Sequence, residues 1–157
     1  PSRTTPLYVR NLIVENRTTS GVIGIVDFKS PSPSQLIMSD IQGVSAFTQE
    51  SGAGEVYGED ISTPHIYLYG STGVWLRQFN PEIASTKIVN NGAPLWILGL
   101  KTEQPSTILN NTGGANTEIV GGYFYPGGSA VSTPVFSNTN SRITASYVEE
   151  AISTSAV

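Results

Sequence analysis

The feature of this 157-residue sequence that most constrains its fold is a short pattern that occurs twice in succession. The runs Leu95–Thr102 and Thr117–Phe124 are both rich in β-forming residues and carry glycine near the middle. When Leu98 is laid on Val120, the two runs coincide. A fixed period of about 20 to 25 residues, with strand and turn in each unit and no helical segment, predicts a β-solenoid whose coils bury their apolar faces by stacking.

An asparagine-rich bend precedes each run, at Ile88–Gly92 and at Ile108–Gly114. Asparagine tolerates the left-handed backbone of a sharp turn, and stacked asparagine side chains can hydrogen-bond from one coil to the next. We therefore interpret four asparagines as a structural column at the bends: Asn90, Asn91, Asn110 and Asn111.

The repeat continues towards the end of the chain. Arg142–Glu149 lies about one further repeat beyond the second run, and Pro134–Phe136 is expected to pair with Ile108–Leu109. No stretch has the apolar period of a helix. The sequence predicts an all-β, right-handed, single-stranded parallel β-helix (solenoid) of about six coils, with residues 151–157 as a closing strand or cap. An antiparallel sandwich also fits short strands with regular turns, but the near-constant offset favours the solenoid.

Composition argues against several classes of function. Only 13% of residues are charged, the formal net charge is −4, and lysine and arginine form no cluster. Binding of nucleic acid or of an anionic membrane surface needs convergent cations, so neither is expected. No apolar run approaches the roughly 18 residues of a membrane span. Because cysteine is absent and His65 is the only histidine, we expect no metal centre and no cofactor.

A polar but weakly charged surface suits an extracellular β protein better than a cytosolic enzyme. The opening segment Pro1–Pro6 is too short to cover the strand edges and apolar interior at the end of a solenoid. We therefore expect residues 1–157 to be a single domain from the C-terminal part of a longer protein. The open end would be covered by the parent chain or by another copy in a homo-oligomer.

Three consecutive segments have a sequence pattern that is typical of a known group of proteins: VWLRQFNPE, KIVNNGAPLWILGLKTE and TEIVGGYFYPGG. They resemble the C-terminal coils of pectate-lyase-like, right-handed parallel β-helix proteins related to glycoside hydrolase families 28 and 55, and similarly built bacteriophage tailspikes. The resemblance covers roughly Leu7 to Glu149. It implies a secreted or virion-borne protein that cleaves or binds polysaccharide along the side of the helix. No motif match carries a catalytic residue over to this chain.

Polysaccharide hydrolysis needs two carboxyl groups, one protonated and one ionised. Equivalent positions in adjacent coils lie about 4.8 Å apart, and Asp60, Glu82 and Glu103 follow one another at intervals of about one repeat. They are candidates for a catalytic column in which crowding raises the pKa of one member. The alternative is that they are solvated residues beside turns.

Sugar binding would use exposed aromatic rings. Tyr67 and Tyr69 alternate with apolar residues, and Tyr123 and Tyr125 flank Phe124, so both pairs are expected on the outer surface. Their alternative role is packing. Trp75 and Trp96 are about one repeat apart, and we expect them to stack across neighbouring coils as core or flank packing.

Lyase chemistry on calcium is disfavoured because the three aspartates, Asp27, Asp40 and Asp60, are far apart in sequence. Arg77, the candidate base for such an elimination, is better interpreted as an ion-pair partner of Glu55 or Glu103.

The sequence is compatible with two functions. One is a polysaccharide-engaging module, with glycoside-hydrolase activity left open. The other is a structural, self-assembling β-helix subunit of a spike or fibre without catalysis.

Overall fold

A computed structural model describes residues 5–14, 27–30, 33–125 and 133–150. Every element in these ranges is a β-strand. The strands are β1 (Leu7–Ile13), β2 (Asp27–Ser30), β3 (Leu36–Gln42), β4 (Ala46–Gln49), β5 (Val56–Ser62), β6 (His65–Leu68), β7 (Val74–Asn80), β8 (Ile88–Asn91), β9 (Pro94–Glu103), β10 (Leu109–Thr112), β11 (Asn116–Tyr125), β12 (Phe136–Asn138) and β13 (Arg142–Glu149).

The strands form two parallel sheets that run along the molecule. The long strands make a seven-stranded sheet in the order β1-β3-β5-β7-β9-β11-β13, and the short strands make a six-stranded sheet in the order β12-β10-β8-β6-β4-β2. Each coil adds one strand to each sheet, which confirms the parallel solenoid and excludes the antiparallel sandwich. About five turns are present, where the sequence predicted about six. The proposed closing strand at 151–157 lies outside the described residues.

The register agrees with the sequence repeat. Leu98 pairs with Val120 across β9 and β11, which is the predicted alignment. Leu109 pairs with Phe136 across β10 and β12, also as predicted. The two runs recognised in the sequence are therefore equivalent strands of adjacent coils.

The core is a thin column between the two sheets. In strands such as β6, β8, β9 and β11, alternate residues between bends point inward and stack on their equivalents in the next coil. Fully buried members of the column include Val56, Val74 and Leu95 from the long sheet, and Ile66, Ile88 and Leu109 from the short sheet. Each such aliphatic side chain contributes about 1.5–3 kcal/mol by leaving water.

A bend divides each long strand into two parts. Residues with left-handed backbone stack there from coil to coil, with φ between 53° and 78°: Asn11, Asp40, Asp60, Gln78, Gly99 and Gly121. These residues are left out of the strand pairing on either side. The bend reverses the alternation, so Leu98 and Lys101 both point outward although they are three residues apart. We call the outer surface before the bend the first facet and the surface after it the second facet.

The buried asparagine column is confirmed in part. Asn90 and Asn111 pair in register and are fully buried. Asn90 closes its turn by donating to the carbonyl oxygen of Ala93 and accepting from the Ala93 amide. Asn111 donates to Asn138 in the next coil over 3.0 Å. Asn91 is exposed but accepts a hydrogen bond from the hydroxyl of Thr112, its register partner in the next coil, over 3.4 Å, whereas Asn110 is half-buried on the outward side of β10.

Candidate functional site

An aromatic ladder runs up the first facet. Tyr57, Trp75 and Trp96 are register partners on β5, β7 and β9. The rings of Tyr57 and Trp75 stack with centroids 4.7 Å apart, and those of Trp75 and Trp96 with centroids 5.1 Å apart. Stacking of the two tryptophans was predicted. Tyr57 was missed, because the coil between Tyr57 and Trp75 is shorter than the coil between Trp75 and Trp96.

The ladder forms part of an open groove of about 980 Å³ on the first facet. Neither indole N–H of the ladder has a hydrogen-bond partner among the described residues, so both are available to a ligand. The groove is lined by residues of six successive strands of the long sheet, from β1 to β11, and therefore follows the axis of the solenoid. Its charged side chains are Arg10, Asp40, Glu59, Asp60, Arg77 and Glu118.

One pair of opposite charges in the groove is internal. Arg77 forms an ion pair with Glu59, its register partner on the neighbouring strand. The expected partners Glu55 and Glu103 were therefore wrong for Arg77. Glu55 instead accepts from Gln35 over 2.8 Å and from the Tyr57 hydroxyl over 3.2 Å. Burial and this carboxylate raise the pKa of Tyr57 above its ordinary value.

The carboxylates Glu82 and Glu103 meet on the second facet, as their spacing in the sequence predicted. Both bind the ammonium group of Lys101. The hydrogen bond from Lys101 lowers the pKa of Glu82, against the opposing effect of burial. Burial alone would lower the pKa of Lys101, but hydrogen bonds to the two carboxylates raise it. The expectation that crowding raises a carboxyl pKa is thus wrong for Glu82, because a cation lies between the two acids.

Asp60 does not join Glu82 and Glu103 in one column. It lies at the bend, between the pairs Glu59–Arg77 and Ile61–Phe79, where its neighbours in the stack are Asp40 and Gln78. Its spacing to Glu82 was misleading, because the coil that follows Asp60 is shorter than the repeat on which the prediction was based. Asp60 lines both the groove and a shallower depression of about 440 Å³ between the facets.

The four tyrosines predicted to bind sugar fall on two separate surfaces. Tyr67 and Tyr69 lie on the outer face of the short sheet with near-parallel rings 6.4 Å apart, opposite the buried Ile66 and Leu68. Tyr67 also stacks on His65.

Tyr123 and Tyr125 lie on the second facet, beside their register partners Lys101 and Glu103. Tyr123 is 41% exposed and donates to Glu150, and this hydrogen bond raises the pKa of Tyr123. The alternation predicted for both tyrosine pairs is confirmed. Only the second pair lies beside candidate carboxylates.

The chemistry that this surface offers is polar recognition around aromatic rings. Within the described ranges, no group of three or more His, Cys, Asp or Glu side chains is placed to hold a metal ion. Nor do these ranges contain a helix long and apolar enough to cross a membrane.

Comparison with known proteins gives no assignment, since no protein-family model, curated protein or solved structure significantly matches the chain.

Proposed function

We propose that the groove of the first facet binds a polysaccharide chain laid along the solenoid axis. The observation that carries this proposal is the coincidence of the aromatic ladder with an open groove that crosses six strands of the long sheet and has polar side chains on its walls. An enclosed pocket would suit a small molecule, whereas an open groove with a repeating lining suits a repeating ligand.

The ladder gives the groove an apolar strip with polar handles. Because Trp75 is stacked on both sides, a ligand in the groove meets the edges of the rings instead of their faces. Those edges offer C–H groups and unpartnered indole N–H donors. Sugar rings present the complementary combination of apolar C–H patches and hydroxyl acceptors. Ser39 and Gln78 supply further neutral polar groups on the walls.

The proposal extends to the protein's setting. The solenoid architecture agrees with the resemblance of its segments to pectate-lyase-like β-helix proteins and tailspikes. On that basis we propose an extracellular or virion-borne module of a longer protein, in which this chain engages polysaccharide. The proposal is limited to binding, since Glu82, with its lowered pKa, is ionised at neutral pH and lacks the proton of a general acid.

Intrinsic fluorescence tests the proposal directly, because the chain has two tryptophans and both line the groove. Titration with soluble polysaccharides of several backbones should change this fluorescence saturably for at least one of them. Trp96→Ala should weaken that binding at least tenfold, and Tyr57→Ala, which leaves both indoles in place, should weaken it less. Tyr69→Ala on the short sheet and Tyr123→Ala on the second facet should alter affinity less than twofold.

Absence of saturable binding to every polysaccharide would overturn the proposal. Loss of binding on Tyr69→Ala or Tyr123→Ala, with Trp96→Ala unchanged, would move the site to one of the surfaces predicted from sequence. Thermal unfolding of each variant shows whether a loss of binding accompanies a loss of fold.

A second candidate function is lateral self-assembly into a spike or fibre. It is favoured by Leu98 and Val120, register partners on the first facet that are 56% and 45% exposed. Such neighbouring apolar side chains are typical of surfaces that pack against another chain. Light scattering separates the two functions: a concentration-dependent multimer that Leu98→Lys dissociates supports assembly, and a monomer that binds glycan supports the groove.

A further inference from the structure

The groove has more unpaired carboxylates than unpaired cations among its lining residues. Glu59 and Arg77 neutralise each other. Of the remaining charged groups in the lining, Asp40, Asp60 and Glu118 are carboxylates and Arg10 is the one cation. Among the described residues, none of these three carboxylates has a hydrogen-bond or ion-pair partner.

The carboxylates lie at two places along the groove, one on β3 and β5 and the other on β11. Asp40 and Asp60 occupy adjacent positions of the bend, which forms one edge of the groove. Glu118 is the register partner of Trp96, so it lies at the far end of the aromatic ladder. Arg10 is at the opposite end, on β1, where its guanidinium lies 5.2 Å from the centroid of the Tyr8 ring. A ligand laid along the groove would therefore pass carboxylates that form no ion pair with any described residue.

We propose that the groove selects uncharged or amine-bearing polysaccharides and rejects polyuronates and other anionic glycans. This inference rests on the proposed function and adds the class of ligand. A glycan with a carboxylate on each residue would bring like charges against Asp40, Asp60 and Glu118 in turn. A glycan with protonated amines would gain attraction at the same places, and a neutral glycan would find hydrogen-bond acceptors.

The test uses the whole chain and three β-1,4-linked hexasaccharides: glucose, glucosamine and glucuronate. A panel of immobilised polysaccharides in the same three charge classes, with several backbones in each class, covers other linkages. Tryptophan fluorescence gives affinities at low and at high NaCl. Relative to the neutral ligand of the same backbone, the anionic ligand should bind at least tenfold more weakly at low salt.

Salt provides an independent signature because it screens exposed charges. Raising NaCl from about 0.01 M to about 0.3 M should strengthen binding of the anionic ligand, weaken binding of the amine-bearing ligand, and leave the neutral one within twofold. The double variant Asp60→Asn, Glu118→Gln should reduce the difference in affinity between the anionic and the neutral ligand severalfold. Asparagine fits the bend, since Asn11 adopts the same conformation in this stack. Glu50→Gln, outside the groove, removes a charge of the same sign and should leave this difference unchanged.

The outcomes separate the inference from the function on which it rests. Tighter binding of the anionic class than of the neutral class would overturn the inference and leave polysaccharide binding intact. A difference in affinity that Glu50→Gln reduces as much as the groove variants would also overturn it, because net charge alone would then explain the preference. No binding in any class would overturn the proposed function itself.

Discussion

The two facets of the long sheet differ in how completely their carboxylates are paired. On the second facet Lys101 binds both Glu82 and Glu103, so the acids are neutralised within the protein. On the first facet Asp60 and Glu118 face the groove without a cation. The same strands supply both surfaces. The comparison teaches that spacing along the sequence can bring carboxylates together, whereas the position of nearby lysine and arginine side chains decides whether those carboxylates stay unpaired.

The largest effect is expected at the turn that follows the second facet. Lys87 is fully buried, and its ammonium group donates to the carbonyl oxygen of Gln104 and to the Ser106 hydroxyl, both neutral acceptors. Burial lowers the pKa of Lys87 to about 8 from its ordinary 10.5. Lys87 is thus the counterpart of Lys101, a lysine held without a carboxylate.

The pH dependence of stability follows from that difference. Below pH 8 the ammonium is charged in the folded and the unfolded chain, and the fold bears the full cost of burying it. Between pH 8 and 10.5 the folded chain has lost the proton while the unfolded chain still binds it, so stability rises with pH. Relative to Lys87→Met, the wild-type free energy of unfolding should increase by up to about 3 kcal/mol across this range. Denaturant titrations of both proteins at pH 7, 8.5 and 10 measure the difference between their free energies of unfolding. A difference that does not change with pH would contradict the prediction.

A smaller effect is expected at the bend that separates the facets. Gly99 has φ +78°, and an added Cβ would meet only ordinary contacts with the Gln78 backbone at 3.8 Å. Any cost of substitution is therefore conformational. Gly99→Ala should lower the free energy of unfolding by about 1–2 kcal/mol. Gly99→Asn should lower it less, since asparagine tolerates this conformation. Denaturant titration measures both free energies of unfolding. Equal decreases in the two variants would show that the cost comes from contacts of the added side chain and not from backbone conformation.

The bend also marks the limit of what the sequence could predict. The equivalence of Leu98 and Val120 was readable because both runs have a similar pattern and lie one full repeat apart. The positions of the bend were not, because Asn11, Asp40 and Gln78 share neither residue type nor constant spacing. Asparagine, aspartate and glycine all tolerate left-handed backbone, and each also occurs in ordinary turns.

The same variation in coil length explains which site residues were predicted. Glu82 and Glu103 lie in coils of typical length, so their adjacency followed from spacing. Asp60 precedes a short coil and falls on the bend instead. Lys101 was missed because its outward direction depends on the reversal of alternation at Gly99. The stacking of Trp75 and Trp96 followed from their spacing, but the groove beside them did not, because its lining includes residues of the bend such as Gln78.

The smallest predicted effect concerns Lys101 itself. Lys101→Gln removes the cation and leaves Glu82 beside Glu103 on the second facet. The pKa of Glu82 should then rise from its lowered value, because the hydrogen bond from Lys101 is the main cause of the lowering. Stability should fall by less than about 1 kcal/mol, since all three side chains are well exposed and such surface pairs contribute little.

Carboxyl chemical shifts followed by NMR through an acid titration measure this change, and Arg77→Gln on the first facet is the matched control. If the comparison of the facets holds, Lys101→Gln moves the titration of Glu82 upward and Arg77→Gln leaves it in place. An unchanged Glu82 titration in Lys101→Gln would mean that the hydrogen bond with the Asn80 side chain, and not the lysine, lowers the pKa of this carboxyl. The second facet would then owe its ionised acids to local geometry, and the contrast in pairing between the facets would no longer explain their difference.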